Sequence, residues 1–246
     1  MTIAVLVPTY DRPAFLAEAL ASISRQTYQD FHVYVVDDGS AVPAVVPDDP
    51  RFTVKLMPHR GIAPTFNTLL DCWRDGGEEL ATWLGDDDML RPDALRIQVT
   101  NVGAYDLLFT DLYYTDMAHL KSHQSGVAVG QVRTCDPSRY TADYESFYDN
   151  INMGTSTMKR TVLDHPGFDE RFTSGIEDCL WIYSLFMRGC KIGHIAVPTR
   201  YYRIHPGNNS NVERMAERPD YLADVALLPK AVAEIQQEVL RCHISR

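Results

Sequence analysis

The sequence predicts an α/β protein in which a mostly parallel central sheet is flanked by helices, with a further helix at the C-terminus. Residues 3–7 and 31–36 are continuous apolar runs of the kind that form strands buried on both faces. Between them, residues 13–25 carry apolar side chains at helical spacing. Carboxylate-rich segments follow the strands, and such sheets bind ligands beyond the carboxyl ends of their strands. The strand–helix–strand order and these polar strand ends are the basis of the prediction.

The remaining strands are shorter and follow from alternating or continuous apolar residues. They are predicted at 52–56, 80–84, 107–110 and 192–197, and residues 201–205 alternate in the same way. The strand at 107–110 is expected to end at Asp111. From there to about Arg139 the pattern blurs, and Gly126 and Gly130 favour a loose hairpin or a mobile loop.

The remaining helices are predicted at 65–73, after Pro92, at 179–188, and from about Pro229 to the end of the chain. In the last of these, Ala231, Val232, Ile235 and Val239 share one face. We therefore expect this helix to serve packing or dimerisation.

Length and composition indicate a soluble protein of one large domain. The chain has 246 residues without a linker or repeat, and 45% hydrophobic with 23% charged residues is ordinary for a globular protein. A net charge of −10 argues against general binding to nucleic acid. Five scattered cysteines without a C-x-x-C pair suit a reducing compartment. With no leader and no long apolar run, we expect a cytoplasmic protein that a lipid-borne substrate can bring to a membrane surface.

Three adjacent carboxylates, Asp86, Asp87 and Asp88, directly follow the predicted strand at 80–84. Carboxylates this close repel one another unless solvent or a cation separates their charges. Mg²⁺ and Mn²⁺ sites often combine one or two carboxylates with substrate phosphates. The segment therefore indicates a nucleotide-diphosphate substrate whose leaving diphosphate is neutralised by a metal on Asp87, Asp88 or both. An acidic turn at a strand end is the structural alternative.

Three further positions carry groups that such a site would use. Asp37 and Asp38 end the second strand and are expected to accept hydrogen bonds from a base or ribose. Glu177 and Asp178 begin a helix, so either is a candidate general base for an incoming hydroxyl, with a simple N-terminal cap as the alternative. His205 is a candidate metal ligand or diphosphate contact, and a hydrogen-bonded structural histidine is its alternative.

Five short motifs in order make the chain resemble the family-2 glycosyltransferases of the GT-A fold over most of residues 3–211. The motifs are Val7-Pro8-Thr9-Tyr10-Asp11-Arg12, Val35-Val36-Asp37-Asp38-Gly39-Ser40, Gly85-Asp86-Asp87-Asp88 with Pro92, Glu177-Asp178, and Tyr202-Arg203-Ile204-His205-Pro206. Each motif is modest alone, but their order and spacing make the set specific. Residues 26–31 also resemble the family's approach to its second strand.

The resemblance implies a nucleotide-sugar site and a metal. The residues expected at the nucleotide sugar are Pro8, Thr9, Tyr10, Asp11, Arg12, Asp37, Asp38, Arg60, Gly61, Asn67, Asp86, Asp87 and, at the sugar or acceptor, Gly154. Residues 86–88 would be the D-x-D-type motif, with Asp87, Asp88 and His205 as ligands of Mn²⁺ or Mg²⁺. Many members carry an aspartate two places before the metal-binding aspartate, and if Asp87 is that ligand, Gly85 takes the place. The resemblance therefore leaves open which carboxylate binds the metal.

By the same resemblance, Asp178 is the catalytic base of an inverting, single-displacement transfer, with Glu177 beside it. The donor is expected to be a UDP-sugar, and the acceptor a glycan, a lipid-linked molecule or a small molecule. One domain is expected, with residues 1–111 as the nucleotide-sugar half, 112–211 as the acceptor and catalytic half, and 212–246 as a helical extension. Acceptor specificity is expected in residues 112–150, and homodimerisation is left open.

Three competing interpretations remain. A sugar nucleotidyltransferase normally carries a Gly-rich, basic loop after the first strand, where this chain has Pro8-Thr9-Tyr10-Asp11. A haloacid-dehalogenase-like phosphatase needs its D-x-D motif at that same position. A non-catalytic nucleotide-sugar-binding protein is the third, and the Glu177-Asp178 pair counts against it.

Overall fold

The structure is a computed structural model that describes residues 1–116, 130–133, 135–148, 152–205, 207–208 and 218–244. The first part of the chain forms β1 (Ile3–Thr9), α1 (Pro13–Ser24), β2 (Phe31–Asp37), β3 (Phe52–Leu56), α2 (Ile62–Gly76), β4 (Leu80–Trp83), β5 (Met89–Leu90) and α3 (Ala94–Asn101). The second part forms β6 (Leu107–Asp116), β7 (Gly130–Val132), α4 (Glu145–Tyr148), β8 (Ser156–Lys159), α5 (Glu177–Met187), β9 (Ile192–Ile204) and α6 (Pro219–Ile244). Short 3₁₀ turns lie at Pro137–Arg139, Met153–Thr155 and Arg160–Asp164.

The described strands form one nine-stranded sheet in the order β3-β2-β1-β4-β8-β6-β9-β5, with β7 paired to β6. Strands β3, β2, β1 and β4 are parallel, as the apolar runs predict. The direction changes at β8, which is antiparallel to both β4 and β6. The carboxyl ends of β1, β2 and β4 therefore open on one edge of the sheet, beside this change of direction.

Apolar side chains on the two faces of the sheet form two cores. One face packs Val5, Val7 and Leu108 of the sheet against Leu16 of α1 and Leu95 of α3. Because successive strand residues point to opposite faces, the neighbours of these sheet residues pack on the other side. That second core contains Leu6, Trp83 and Phe109 of the sheet, Trp73 of α2 and Ile182 of α5. The α/β class and the C-terminal helix are confirmed.

Two element limits predicted for the second half of the chain are wrong. Strand β6 does not end at Asp111 but continues to Asp116, and Asp111 is buried within it beside His194 of β9. The register between β6 and β9 shifts there, from Thr110 opposite Ile195 to Asp111 opposite Pro198. Because the bulge contains a proline, the sequence predicts two short strands, at 192–197 and 201–205, where the structure has the single strand β9.

The C-terminal helix begins at Pro219, ten residues before the predicted start. Pro219 occupies the helix start, where its missing N–H costs nothing, whereas Pro229 lies exposed inside the helix. The predicted hairpin is present as the antiparallel pairing of β6 with β7 at Gly130. Gly126 and Pro206 lie outside the described residues, as does part of the 112–150 segment. None of the helices in the described ranges is both long and apolar enough to cross a membrane.

Candidate active site

The ends of β1, β2 and β4 are joined directly by hydrogen bonds. The Thr9 hydroxyl at the end of β1 donates to Asp86 Oδ2 over 2.8 Å, and both side chains are buried. The Asp38 backbone N–H, just after β2, donates to the Thr9 carbonyl over 3.0 Å. Because parallel strands end on one edge, three segments far apart in sequence form one polar surface.

Arg12 binds two of the three adjacent carboxylates. Its Nη1 donates to Asp86 Oδ1 at 3.2 Å and to Asp87 Oδ2 at 2.7 Å, and its Nη2 donates to the Gly207 carbonyl at 2.8 Å. Burial, and then the neighbouring charge of Asp87, raises the pKa of Asp86 to about 6, although Arg12 and Thr9 partly offset this. The guanidinium therefore supplies the positive charge that these packed carboxylates require.

Asp87 faces His205, whose Nε2 lies 3.1 Å from Asp87 Oδ2. The Gly207 N–H donates to His205 Nδ1 over 3.1 Å, so Nδ1 is the acceptor nitrogen and Nε2 carries the proton when the ring is neutral. Phe15 of α1 packs against the imidazole, with 4.6 Å between ring centroids. In this tautomer Nε2 is a hydrogen-bond donor toward Asp87 or a phosphate oxygen. It is a metal ligand only when the Gly207 contact is given up.

Asp88 points away from Asp87 and contacts strand β9. Its Oδ1 accepts the Arg203 backbone N–H at 2.9 Å, and its Oδ2 lies 3.0 Å from Arg200 Nε. Both the Asp88 and Arg200 side chains are almost completely buried. Burial raises the pKa of Asp88 to about 7, and the Arg200 guanidinium offsets only part of that effect. Asp88 therefore has different partners from Asp86 and Asp87, which share Arg12.

Asp87 offers one carboxylate that a divalent metal could use. In the ranges that the structure describes, no three His, Cys, Asp or Glu side chains are arranged as a complete metal site. Mg²⁺ is usually held by one or two carboxylates together with substrate phosphates rather than by an all-protein cage. Asp87 supplies one such carboxylate at the rim of the site, next to the donor nitrogen of His205. Asp88 uses both of its oxygens on β9.

Asp37 and Asp38 organise the loops around the edge of the sheet. Asp37 accepts the backbone N–H groups of Ser40 and Ala44, at 2.9 and 2.7 Å. Burial acts against ionisation of Asp37, but these hydrogen bonds outweigh it and lower the pKa of Asp37. Asp38 accepts the backbone N–H of Gly61 over 2.9 Å, and it also accepts that of Arg60. The second strand is thereby tied to the start of α2.

An aromatic pair stands over Asp38. The Tyr10 ring stacks on the His59 imidazole with 4.3 Å between centroids, and Tyr10 is 44% exposed. His59 Nδ1 lies 2.9 Å from Asp38 Oδ2, which orients the imidazole. Sequence reasoning missed His59 because no strand end or motif marks it. Two stacked rings beside a carboxylate are suited to a planar heterocycle.

The other predicted nucleotide-side residues have more local contacts. Asp11 has a positive φ of 52° and its Oδ1 accepts the Ala41 N–H at 2.8 Å. Arg60 pairs with the exposed Glu170 at 3.0 Å. Asn67 donates to the Phe168 carbonyl and accepts the Phe168 N–H, so it holds the turn before α5. Pro8 lies within β1, and Gly154 lies in the 3₁₀ turn before β8.

Glu177 and Asp178 form the first turn of α5, where the helix dipole favours negative charge. Glu177 is buried and its Oε2 accepts the Gly175 N–H at 2.9 Å, whereas Asp178 is half-buried and its Oδ1 accepts the Cys179 N–H at 2.6 Å. Burial raises the pKa of Asp178 to about 6, and burial with the neighbouring Asp178 charge raises the pKa of Glu177 to about 8. Asp178 is thus the more accessible and more acidic of the two.

Packed aromatic rings connect this helix start to the acidic segment. Trp181 of α5 stacks on Phe168 at 4.4 Å between centroids and meets Trp83 edge-on at 6.3 Å. Trp83 is the last residue of β4, three places before Asp86. On the other side, Asp224 of α6 accepts two backbone N–H groups of the loop before α5, from Thr173 and Ser174. The helix that begins with the candidate base is therefore held from both sides.

Comparison with known proteins identifies the family. Residues 4–173 match the family described as Glycosyl transferase family 2, which is more than half of the chain. The chain belongs to glycosyl transferase family 2. The resemblance to this family is therefore confirmed.

Curated relatives of this family-2 chain are distant and mostly longer. A GalNAc(5)-diNAcBac-PP-undecaprenol beta-1,3-glucosyltransferase of Campylobacter jejuni is 29% identical over 210 residues, covering 82% of this chain and 64% of the relative. An uncharacterized glycosyltransferase of Rickettsia conorii is 27% identical over 222 residues, covering 85% of this chain. This chain spans about a third of that relative's length, 34%.

Solved structures agree with the fold. TarS 1–349 of S. aureus in complex with UDP-GlcNAc has a TM-score of 0.62 at 19% identity, covering 100% of this chain and 73% of that one. A mannosyltransferase of Pyrobaculum calidifontis, in complex with GDP-Man and Mn²⁺, has a TM-score of 0.58 at 17% identity, covering 95% and 68%. At these identities the likeness establishes the GT-A fold of the family-2 chain.

Proposed function

We propose that this family-2 chain is an inverting, metal-dependent glycosyltransferase that moves a sugar from a nucleotide diphosphate to an acceptor hydroxyl. One observation carries the proposal. The acidic segment 86–88 and the separate carboxylate Asp178 lie at the two ends of one aromatic cluster, each with its own electrostatic environment. An inverting transfer needs this separation, because the base acts on the face of the sugar opposite the leaving diphosphate.

Asp87 is the proposed metal ligand, together with diphosphate oxygens of the donor. Mn²⁺ or Mg²⁺, when bound, would neutralise the leaving diphosphate. His205 takes the second of its two expected roles, donating from Nε2 to the diphosphate, because the Gly207 N–H already occupies Nδ1. Arg12 is held by Asp86 and Asp87 at the same rim, where its charge favours the diphosphate.

Asp178 is the proposed general base. One of its oxygens accepts the Cys179 N–H, which fixes the carboxylate at the helix start. A pKa of about 6 lets the group be ionised at neutral pH and still accept a proton effectively. Glu177 is buried with a pKa of about 8, so it stays protonated and supports the turn.

We propose a UDP-sugar as the donor, since the TarS structures that share the fold are bound to UDP and UDP-GlcNAc. Tyr10 and His59 would stack on the base above Asp38. The named Campylobacter jejuni relative acts on an undecaprenol-linked glycan, which supports a glycan or lipid-linked acceptor here. The chain would then work in the cytoplasm, at the membrane surface when the acceptor is lipid-linked. Residues 1–111 would form its donor half and 112–211 its acceptor half.

Thermal unfolding tests the donor site. The protein would be heated with UDP, GDP and TDP and with their common sugar derivatives, each with and without Mn²⁺ or Mg²⁺. A ligand at one hundred times its dissociation constant stabilises the folded state by about 2.7 kcal/mol, which is readily measured. We expect stabilisation by uridine nucleotides that requires metal. Release of pyrophosphate from a nucleoside triphosphate would instead favour a nucleotidyltransferase, and donor binding without any turnover would favour a binding protein.

A further inference from the structure

Arg200 of β9 is the buried cation beside the acidic segment, and it lies outside the five sequence motifs. Its side chain is 3% exposed, and its Nε lies 3.0 Å from Asp88 Oδ2. Arginine is rarely buried without a partner that compensates its charge. The Arg203 backbone N–H donates to the other oxygen of Asp88, so β9 contacts this carboxylate through one ion pair and one hydrogen bond.

Gly154 leaves the space that the Arg200 guanidinium fills, and Gly85 lies beside it. A Cβ at Gly154 would lie 1.3 Å from Arg200 Nη1 and 2.4 Å from its Cζ. A Cβ at Gly85 would lie 3.5 Å from Arg200 Nη2 and 3.0 Å from Asp87 Oδ1. Neither glycine has the positive φ that favours glycine for backbone reasons. Glycine is therefore required at 154, where a side chain would collide with the guanidinium, whereas a Cβ at 85 would meet Arg200 at an ordinary contact distance and crowd only the Asp87 carboxylate.

Arg200 is connected to Asp87 through Asp88 and one tight turn. The Asp88 backbone N–H donates to the Gly85 carbonyl over 3.1 Å, closing a tight turn that contains Asp86 and Asp87. If Asp88 shifts, the closing residue of this turn shifts with it. Metal and diphosphate sites tolerate only small displacements of their ligands. A displacement of Arg200 would therefore move Asp88, and the movement of Asp88 would change the position of Asp87.

We propose that Arg200 is a positioning residue, which fixes Asp88 and so holds Asp87 in the orientation that receives metal and diphosphate. The inference rests on the proposed function in one respect, because it takes metal-diphosphate binding as the task of Asp87. It also accounts for Gly85 in place of the aspartate that many members carry. A carboxylate at position 85 would lie against Arg200 and compete with Asp88 for it.

The first experiment measures Mn²⁺ binding in the presence of UDP, by the loss of the free Mn²⁺ electron paramagnetic resonance signal. For Arg200→Met we expect the dissociation constant to rise at least tenfold. Arg200→Lys keeps the charge but not the planar, forked donor set, so partial recovery is expected. Arg160→Met is the matched control, because Arg160 binds the carbonyls of Trp73 and Arg74 at the end of α2. It should lower the melting temperature and leave Mn²⁺ binding unchanged.

A second set of variants tests whether Gly154 acts through Arg200. Gly154→Ala should weaken Mn²⁺–UDP binding in the natural chain by pushing the guanidinium aside. In an Arg200→Ala background the same change should have no further effect. Equal effects of Gly154→Ala in both backgrounds would overturn the inference, as would unchanged Mn²⁺–UDP binding in folded Arg200→Met.

Amide hydrogen exchange separates this inference from the proposed function. Without metal or nucleotide, Arg200→Met should speed exchange in residues 84–90 while the control variant Arg160→Met leaves that segment unchanged. If the natural chain binds no Mn²⁺ with any nucleotide, the proposed function fails, and faster exchange in 84–90 would still support the Arg200 contact. Unchanged exchange there in Arg200→Met would refute the positioning role whatever the protein binds.

Discussion

Replacement of Asp178 by asparagine tests the proposed chemistry most directly. The two side chains have nearly the same shape, and the amide oxygen of the introduced asparagine can still accept the Cys179 N–H that Asp178 accepts at 2.6 Å. The variant should therefore fold and bind donor normally, but it cannot take a proton from an acceptor hydroxyl. A positioned general base typically contributes about 10²- to 10⁴-fold, so we expect transfer to fall by that factor.

The pH dependence of kcat/KM gives a second, independent test of Asp178 as the base. With the pKa of Asp178 raised to about 6, roughly nine tenths of the groups are ionised at pH 7 and roughly one tenth at pH 5. The value of kcat/KM should therefore fall about tenfold between pH 7 and pH 5 in the natural chain. An aspartate with its ordinary pKa of 3.8 would remain ionised across that interval and give a nearly flat profile.

The assay is release of UDP from a UDP-sugar, with donor affinity measured at every pH. That second measurement is needed because the pKa of Asp86 is also about 6, so donor binding can titrate in the same interval. Glu177→Gln is the matched control, since Glu177 is expected to be protonated throughout, and its profile should keep a midpoint near 6. Activity of Asp178→Asn equal to that of the natural chain would refute the assignment. Loss of activity in Glu177→Gln with a natural midpoint near 8 would transfer the role to Glu177.

Three further predictions concern metal binding, stacking of the nucleotide base on Tyr10, and stability. Asp87→Ala should abolish the metal-dependent part of donor binding, whereas Asp88→Asn should weaken it less and lower the melting temperature; calorimetry with and without Mn²⁺ decides this, and equal binding in both variants would leave the segment a plain acidic turn. Tyr10→Ala should weaken UDP binding by about 1–3 kcal/mol through loss of stacking, measured by titration against Tyr105→Ala as a control at another exposed tyrosine. Because the pKa of Glu177 is raised from 4.5 to about 8, its contribution to stability is complete below pH 4.5 and is lost as the pH rises to 8. Relative to Glu177→Gln, the free energy of unfolding of the natural chain should therefore fall by a few kcal/mol over that interval, at about 1.4 kcal/mol per pKa unit. If the difference in unfolding free energy between the two proteins is the same at pH 5 and pH 8, this prediction is wrong.

The sheet edge at the carboxyl ends of β1, β2 and β4 could be predicted because short, local sequence patterns identify its strands. Buried apolar runs identify β1 and β4, and parallel neighbours end on one edge, so Thr9 and Asp86 are expected to lie together. In the structure they share a 2.8 Å hydrogen bond. Helix α5 was predicted within two residues of its true start, because its acidic first turn and apolar body are contiguous in sequence.

The contacts that distinguish Asp86, Asp87 and Asp88 could not be predicted. They depend on groups at least 75 positions away in sequence, since Arg200 and the Arg203 backbone contact Asp88 while Arg12 and His205 contact Asp87. Nothing in the spacing of adjacent aspartates says which one will meet a cation from a distant strand. Asp224 was missed for the same reason, because its partners lie in the loop before α5.

The bulge in β9 shows a different limit of sequence reasoning. Pro198 interrupts the alternation, and the pattern on its two sides is typical of two strands. The backbone instead absorbs the interruption as a shift of register against β6. The sequence around Pro198 shows the interruption, but whether the strand ends there or continues depends on its pairing with β6.

The fit between Arg200 and Gly154 has a consequence for how the chain can diverge. Any side chain at position 154 would collide with the guanidinium, so a single mutation there is penalised for as long as arginine occupies position 200. Once position 200 carries a shorter residue, the penalty at 154 disappears and the space is open to a side chain. Descendants of this chain should therefore lose the arginine first and the glycine afterwards, and the two positions should vary together in an alignment although they lie 46 residues apart in sequence.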